Sequence, residues 1–398
     1  MINVLSAIMG QGKTQRAFKQ VEDLDLNRKV IYVTPLLSEC DRVIDHFYNT
    51  GRVFVKPMVA DNSGSKMINL LNLLSHKSNI VTTHALFRNL TPEHLKLLEE
   101  SDYTLVLDEV LTVIESFKNV RGFSYTFDHI KELMSDGFLY LDVDKVTLRW
   151  DKEKASAEES FYQSLKVVCD RGSLLLINGK CVLWMMPVEL INAFKDILIC
   201  TYLFEHSLMA GYLKMNKISY EVSTFGSKPS DFVEFINICD KKSLNSVGDK
   251  YKALSANAME KNRGGCVDEL KSKLYSFYNY HHRDVPSDRR LWTCFKGSKN
   301  TLSGGGYSRK WLSCGTKATN DYAETKILAY TCNIFQQPYI VKYFASRGVS
   351  LNEDMYALSE MLQWLYRSQI RNNKPITVYI PSSRMRNLLK AWLNDEFE

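Results

Sequence analysis

The stretch Met1–Thr14, MINVLSAIMGQGKT, decides how the rest of the chain reads. Ile2, Val4 and Leu5 form a short apolar run that predicts a buried strand. Gly10-Gln11-Gly12 predicts a tight turn, and a helix is expected over residues 15–23. Strand, glycine turn, Lys-Thr and helix in this order make a phosphate-binding loop. Glycines let backbone N–H groups turn inward on phosphate oxygens, and the helix start adds a favourable dipole. Lys13 is then placed to reach the β- and γ-phosphates, and the Thr14 hydroxyl to ligate Mg2+. The position usually held by the first glycine of such a loop is Ala7.

Outward from the loop, RKVIYVTP (28–35) predicts a second buried strand closed by Pro35, followed by a helix over 38–48. NIVTT (79–83) is a third strand, and YTLVLDEV (103–110) a fourth that ends in two acids. Strands alternating with helices predict a doubly wound parallel sheet, which binds ligands at the carboxyl ends of its strands. There Asp108 would hold Mg2+ and Glu109 would polarise an attacking water. Residues 111–190 carry fewer signals, apart from two strands expected around Asn178-Gly179. ILICTYLF (197–204) returns to a buried strand.

The second half predicts another strand–helix domain without its own phosphate loop. Strands are expected at 291–295, 311–314 and 376–380, and helices at 328–344, interrupted by Pro338, at 355–370 and at 383–393. On the 355–370 helix, Gln363, Arg367 and Arg371 recur every four residues and would share one face. Two guanidiniums so placed can embrace a γ-phosphate as charge builds on it.

Of 398 residues, 45% are hydrophobic and 12% aromatic, which suits a folded chain with sizeable cores. Nine cysteines without a CxxC pair read as reduced thiols of a cytoplasmic protein. No apolar run is long enough to span a membrane, and no secretory leader is expected. Residues 206–398 hold 28 Lys+Arg against 18 Asp+Glu, net +10, whereas 1–205 hold 23 against 27, net −4. A polyanionic partner is expected on the basic half. Its segment 240–290 is basic and helical, with Tyr275, Phe277, Tyr278 and Tyr280 able to stack on bases or to pack a core. His281 and His282 have no metal-ligand spacing.

Together these residues resemble a superfamily 2 DExx-box helicase: AxxxxGKT at the start, VLDEV, then the Gln363/Arg367/Arg371 series. The stretch from Gln363 through YIPSSRMRNLL is most similar to the short replication helicases of tailed phages. Thr34-Pro35, Thr82-Thr83-His84 and Thr319-Asn320 within GTKATN resemble motifs that contact nucleic acid in that family. Thr201-Tyr202 stands where its coupling motif falls. The resemblance implies two RecA-like domains, 1–205 with an insertion at about 115–190, and 206–398. ATP and Mg2+ would lie between them, touching Gly10, Gln11, Gly12, Lys13, Thr14, Asp108 and Gln363. Catalysis would fall to Lys13, Glu109, Arg367 and Arg371. Single-stranded or forked DNA would cross both domains through Pro35, Thr82, Thr83, His84, Thr319 and Asn320, with other replication proteins as further partners and no membrane. No glutamine motif for adenine precedes the first strand, so the base specificity stays open. An RNA helicase, a replication factor with weak ATPase activity and a nucleotide kinase are the competing expectations.

Overall fold

The apolar runs become strands in the computed structural model, which describes residues 1–59, 65–117, 119–120, 123–154, 159–262, 265–316 and 321–397. The first half contains β1 (Ile2–Ser6), β2 (Lys29–Thr34), β3 (Phe54–Val55), β4 (Asn79–Thr83) and β5 (Tyr103–Leu107). The insertion follows with β6 (Ile114–Ser116), β7 (Asn119–Val120), β8 (Phe123–Ser124), β9 (Leu139–Leu141), β10 (Leu148–Trp150), β11 (Leu174–Ile177) and β12 (Cys181–Met185). The chain then returns through β13 (Asp196–Thr201) and β14 (Glu221–Thr224). The first sheet has the order β14-β1-β13-β5-β2-β4-β3, and its pairings are parallel.

Alternate residues of its central strands go to opposite faces, as a pleat requires. Val4, Ile31, Val33, Leu105 and Ile199 enter one core, and Leu5, Val30, Tyr32, Val106 and Leu198 enter the other. Both faces are covered, which is why these strands are apolar throughout rather than alternating. The helix Lys13–Glu22 covers the second face with Ala17, Phe18 and Val21, and Leu37–Phe47 adds Cys40, Val43 and Phe47. In the insertion, β11 and β12 form a hairpin whose turn residues Asn178 and Gly179 have φ of 52° and 61°. Positive φ at both positions gives the turn a twist that matches the strands it joins.

The second sheet has the order β15-β18-β17-β16, with parallel pairings, from β15 (Ile236–Ile238), β16 (Arg290–Thr293), β17 (Ile327–Tyr330) and β18 (Ile376–Tyr379). The molecule is thus two RecA-like doubly wound parallel-sheet domains with an insertion in the first.

Three expectations need correction. The first domain does not end at residue 205, because β14 pairs with β1 and extends the first sheet to Thr224. The helix expected from Leu328 is strand β17, with Leu328 and Tyr330 in one core and Ile327 and Ala329 in another. A short apolar run carries no polar stripe to set its period, and the helix starts only at Pro338, a favoured first position. Residues 311–314 contribute only a bridge from Trp311 to Trp292 rather than a strand. In the basic segment Phe277 and Tyr278 are core residues, while Tyr275 and Tyr280 are exposed. Among the described residues no helix is long and apolar enough to cross a membrane.

The two domains interlock. Ile8, just ahead of the loop glycines, is buried in the core of the second domain. The helix Pro338–Ser346 returns the exchange by laying Ile340, Tyr343 and Phe344 into the first. Trp392 Nε1 donates to the Tyr202 hydroxyl at 2.8 Å.

Arg384, from the stretch that reads most like the phage helicases, is a structural residue. Its guanidinium is buried and donates to Asp354 Oδ1 at 2.7 Å, Asn333 Oδ1 at 3.0 Å, Ile334 O at 2.6 Å and Glu353 O at 3.1 Å. It also lies 4.2 Å from the Phe335 ring centroid. Arg384→Ala leaves the acceptors at Asn333 and Ile334 unpaired, while Asp354 is half-exposed and can turn to water, so chemical denaturation should report a loss of about 2 kcal/mol; a loss below about 0.5 kcal/mol would refute the role.

Candidate nucleotide site between the domains

The carboxyl ends of β1, β5 and β13 converge on a cleft of about 450 Å³. Gly10, Gly12, Lys13, Thr14, Asp108 and Glu109 line it from the first domain, and Arg367 and Arg371 from the second. Gly10 and Gly12 have φ of +83° and +79°, a left-handed backbone that only glycine adopts at little cost. Arg371 packs against Gly10: a Cβ added there would lie in ordinary van der Waals contact with its backbone oxygen and Cγ, at 3.5 and 3.6 Å. The second domain therefore rests directly on the loop. Gln11 lines the other side of the turn, where its Oε1 accepts from Ser227 Oγ at 3.3 Å.

Lys13 Nζ donates to Ala7 O at 2.6 Å and Ile8 O at 3.2 Å, which curls its stem along the loop. Burial pushes its pKa down, partly offset by Glu109, Cys200 and Asp108, so the ammonium is desolvated and in need of an anion. Thr14 Oγ1 donates to Asp108 Oδ1 at 2.9 Å. Two hard oxygen ligands side by side fit a divalent cation that takes its remaining ligands from phosphates and water. Among the described residues no cluster of three His, Cys, Asp or Glu could hold a metal by itself. Glu109 Oε1 accepts from Thr201 Oγ1 at 2.5 Å and from its neighbour Val110 N at 3.1 Å, which fixes the carboxylate over the cleft.

Burial raises the Asp108 pKa from 3.8 to about 6, against the lowering effects of Thr14 and Arg42. An acid raised on folding favours the proton in the native state. Ionised Asp108 therefore weakens the fold above about pH 6, and the penalty disappears below about pH 4. Asp108→Asn should then stabilise the protein by about 2 kcal/mol at pH 7 and by nothing at pH 4. Melting at the two pH values checks this, and an equal effect at both would contradict it.

Gln363 is not in this cleft. The Glu353–Leu365 helix ends before Arg367, so residues 363, 367 and 371 do not share a helical face. Ser368 Oγ donates to Leu365 O at 2.6 Å, and Arg367 N to Trp364 O at 3.1 Å, which tightens the last turn and redirects the chain. Gln363 instead lines a second cavity of about 270 Å³ with Thr201, Tyr202, Gln336 and Glu360, behind Glu109.

Of the residues expected on nucleic acid, Pro35, Thr83 and His84 lie together at the ends of β2 and β4. Thr34 and Thr83 are register partners on β2 and β4. Pro35, next to Thr34, lines the nucleotide cleft. Thr83 caps the short helix His84–Phe87, and His84 is half-buried beside it. Thr82 is buried in β4, so its side chain is withdrawn from any strand. Thr319 and Asn320 lie outside the described residues.

Sequence reasoning overlooked Glu39 and Arg42. Arg42 Nη2 is 2.8 Å from Glu39 Oε2 and 3.4 Å from Asp108 Oδ2, and both residues line the cleft. Their only signal is an i, i+3 acid–base pair on the helix after Pro35, a pattern common on solvated helix faces.

A family model described as the YonV C-terminal Rossmann-like domain matches residues 230–393, starting just past β14. The SPbeta prophage-derived uncharacterized protein YonV of Bacillus subtilis (strain 168) is 33% identical over 418 residues, spanning 99% of this chain and 99% of that protein. The chain belongs to the YonV family. Among solved structures, Xpd4 of S. tokodaii is similar with a TM-score of 0.48 and 11% identity, over 100% of this chain and 94% of that one. Dbp5 of S. cerevisiae, bound to RNA and ADP BeF3, has a TM-score of 0.42 and 9% identity, over 99% of this chain and 83% of that one.

Proposed function

We propose that this YonV-family chain is an ATP-dependent DNA helicase or translocase, of the kind that serves phage replication or recombination. The observation that carries the reading is the mixed origin of the cleft: Lys13, Thr14, Asp108 and Glu109 come from one domain, Arg367 and Arg371 from the other. A nucleotide kinase would not need a second parallel-sheet domain to supply guanidiniums.

In this reading Lys13 and the loop N–H groups hold the phosphates, while Thr14 and Asp108 hold Mg2+. The bound cation neutralises charge on the phosphate oxygens. Glu109, fixed by Thr201, orients the water and accepts its proton. Arg367 and Arg371 stabilise charge on the γ-phosphate, and their hold lapses once it leaves. That would couple hydrolysis to domain movement. A single strand lying across both domains would be gripped mainly through its phosphates, which the +10 balance of residues 206–398 favours. DNA is preferred over RNA on the resemblance of the C-terminal stretch alone.

ATP hydrolysis measured with and without single-stranded DNA tests the reading, and stimulation is expected. Indifference to every nucleic acid would remove the motor reading. Strand displacement on 3′- and 5′-tailed duplexes of DNA and RNA would assign substrate and polarity.

A further inference from the structure

We propose that Phe225 and Arg16 form the seat for the base of the bound nucleotide, and that the seat favours a purine; this rests on the nucleotide reading above. The order of the first sheet sets the direction. β1, which feeds the phosphate loop, lies between β13 and β14, and the acids follow β5 on the β13 side. A nucleotide whose γ-phosphate sits by Asp108, Glu109 and Arg367 must run its sugar and base the other way, past Gln11 and over the end of β14.

A built platform stands there. Phe225 N donates to Ser6 O at 3.2 Å, which continues the β14–β1 pairing by one residue. Gly226 has φ +91°, and a Cβ there would sit 3.2 Å from the Gln11 side chain. Ser227 Oγ donates to Gln11 Oε1 at 3.3 Å. The turn is therefore moulded onto the back of the phosphate loop, at a position that requires glycine. The Phe225 ring is half-buried against the Leu5–Phe18 core, and the Arg16 guanidinium lies 4.1 Å from its centroid.

Arg16 is exposed, so its long stem can lift by the thickness of one ring without disturbing the helix below. A base slipped between the two would have an aromatic face below and a planar cation above, an arrangement that binds by stacking rather than by edge hydrogen bonds. Stacking scales with the area of the face, so a purine is favoured over a pyrimidine. The other aromatic–cation pair beside the phosphate loop among the described residues, Arg42 at 5.9 Å from the Phe18 centroid, offers no such face because the Phe18 ring is buried in the core.

The test is competition of ATP, CTP and inorganic triphosphate against a fluorescent ATP analogue, using the full chain. Wild type should bind ATP more tightly than CTP or triphosphate. Arg16→Ala and Phe225→Ala should each weaken ATP roughly ten-fold, leave triphosphate unchanged and erase the preference over CTP, while Phe225→Trp keeps it. The inference is overturned if ATP affinity is unchanged in the Arg16→Ala variant, whose exposed site leaves folding intact, or if triphosphate weakens in parallel with ATP. Wild type that binds neither ATP nor triphosphate would defeat the nucleotide reading itself, and this inference with it.

Discussion

Lys13→Ala should lower ATP turnover by about 10³-fold or more while leaving the thermal transition in place. The ammonium contributes little to the fold. It donates to two loop carbonyls, Ala7 O and Ile8 O, which solvent entering the cleft can satisfy in its absence. Burial has already stripped it of water and pushed its pKa down. Removing a desolvated cation costs the native state little and can even relieve it. A triphosphate, by contrast, loses the charge that faces the oxygens bridging its leaving group. Single-turnover hydrolysis beside a melting curve separates the two effects. Turnover within about ten-fold of wild type would take Lys13 out of the chemistry.

Arg367→Ala should lower turnover by about 10³-fold with nucleotide affinity little changed. Arg367 is the better placed of the two arginines to act on the reacting phosphate. It is half-buried, its buried Nε has no hydrogen-bond partner among the described residues, and desolvation with Arg371 beside it depresses its pKa. A buried donor left unpaired is costly unless something else completes it, and a phosphoryl oxygen in the cleft would do so. Arg371 packs along Gly10 and should show a smaller loss in turnover and a larger one in affinity. Equal effects of the two substitutions on affinity and turnover would refute this division of labour.

The glycine turn with Lys13 and Thr14, and the two acids that follow β5, were legible in the sequence because their pattern is local. Gly10, Gly12, Lys13 and Thr14 are consecutive or nearly so, and Asp108 follows a strand whose apolar run marks its end. The two arginines were legible as residues but not as geometry. LQWLYRSQIRNNKP contains no Gly or Pro near residue 366, so nothing in its pattern announces that the helix stops there. The stop is made by Ser368 and by an i to i−3 bond, and it sends Gln363 to a different cavity. Strand β17 was misread for the opposite reason. It is buried on both faces, so its residues carry no alternation to reveal it. Arg42 was hidden because its partner Asp108 is 66 residues away in the chain, and Glu39 because its link to the site runs through Arg42.

Ile8 carries a further consequence. It belongs by sequence to the turn that would cradle phosphate, yet its side chain is 1% exposed within the opposite domain's apolar cluster. Prising the halves apart would drag that side chain into water at roughly 2 kcal/mol. The tug would fall two residues from Gly10, so parting of the lobes should itself reshape the cradle. Ejection of spent product and release of the grip on a strand would then be one mechanical event rather than two in succession.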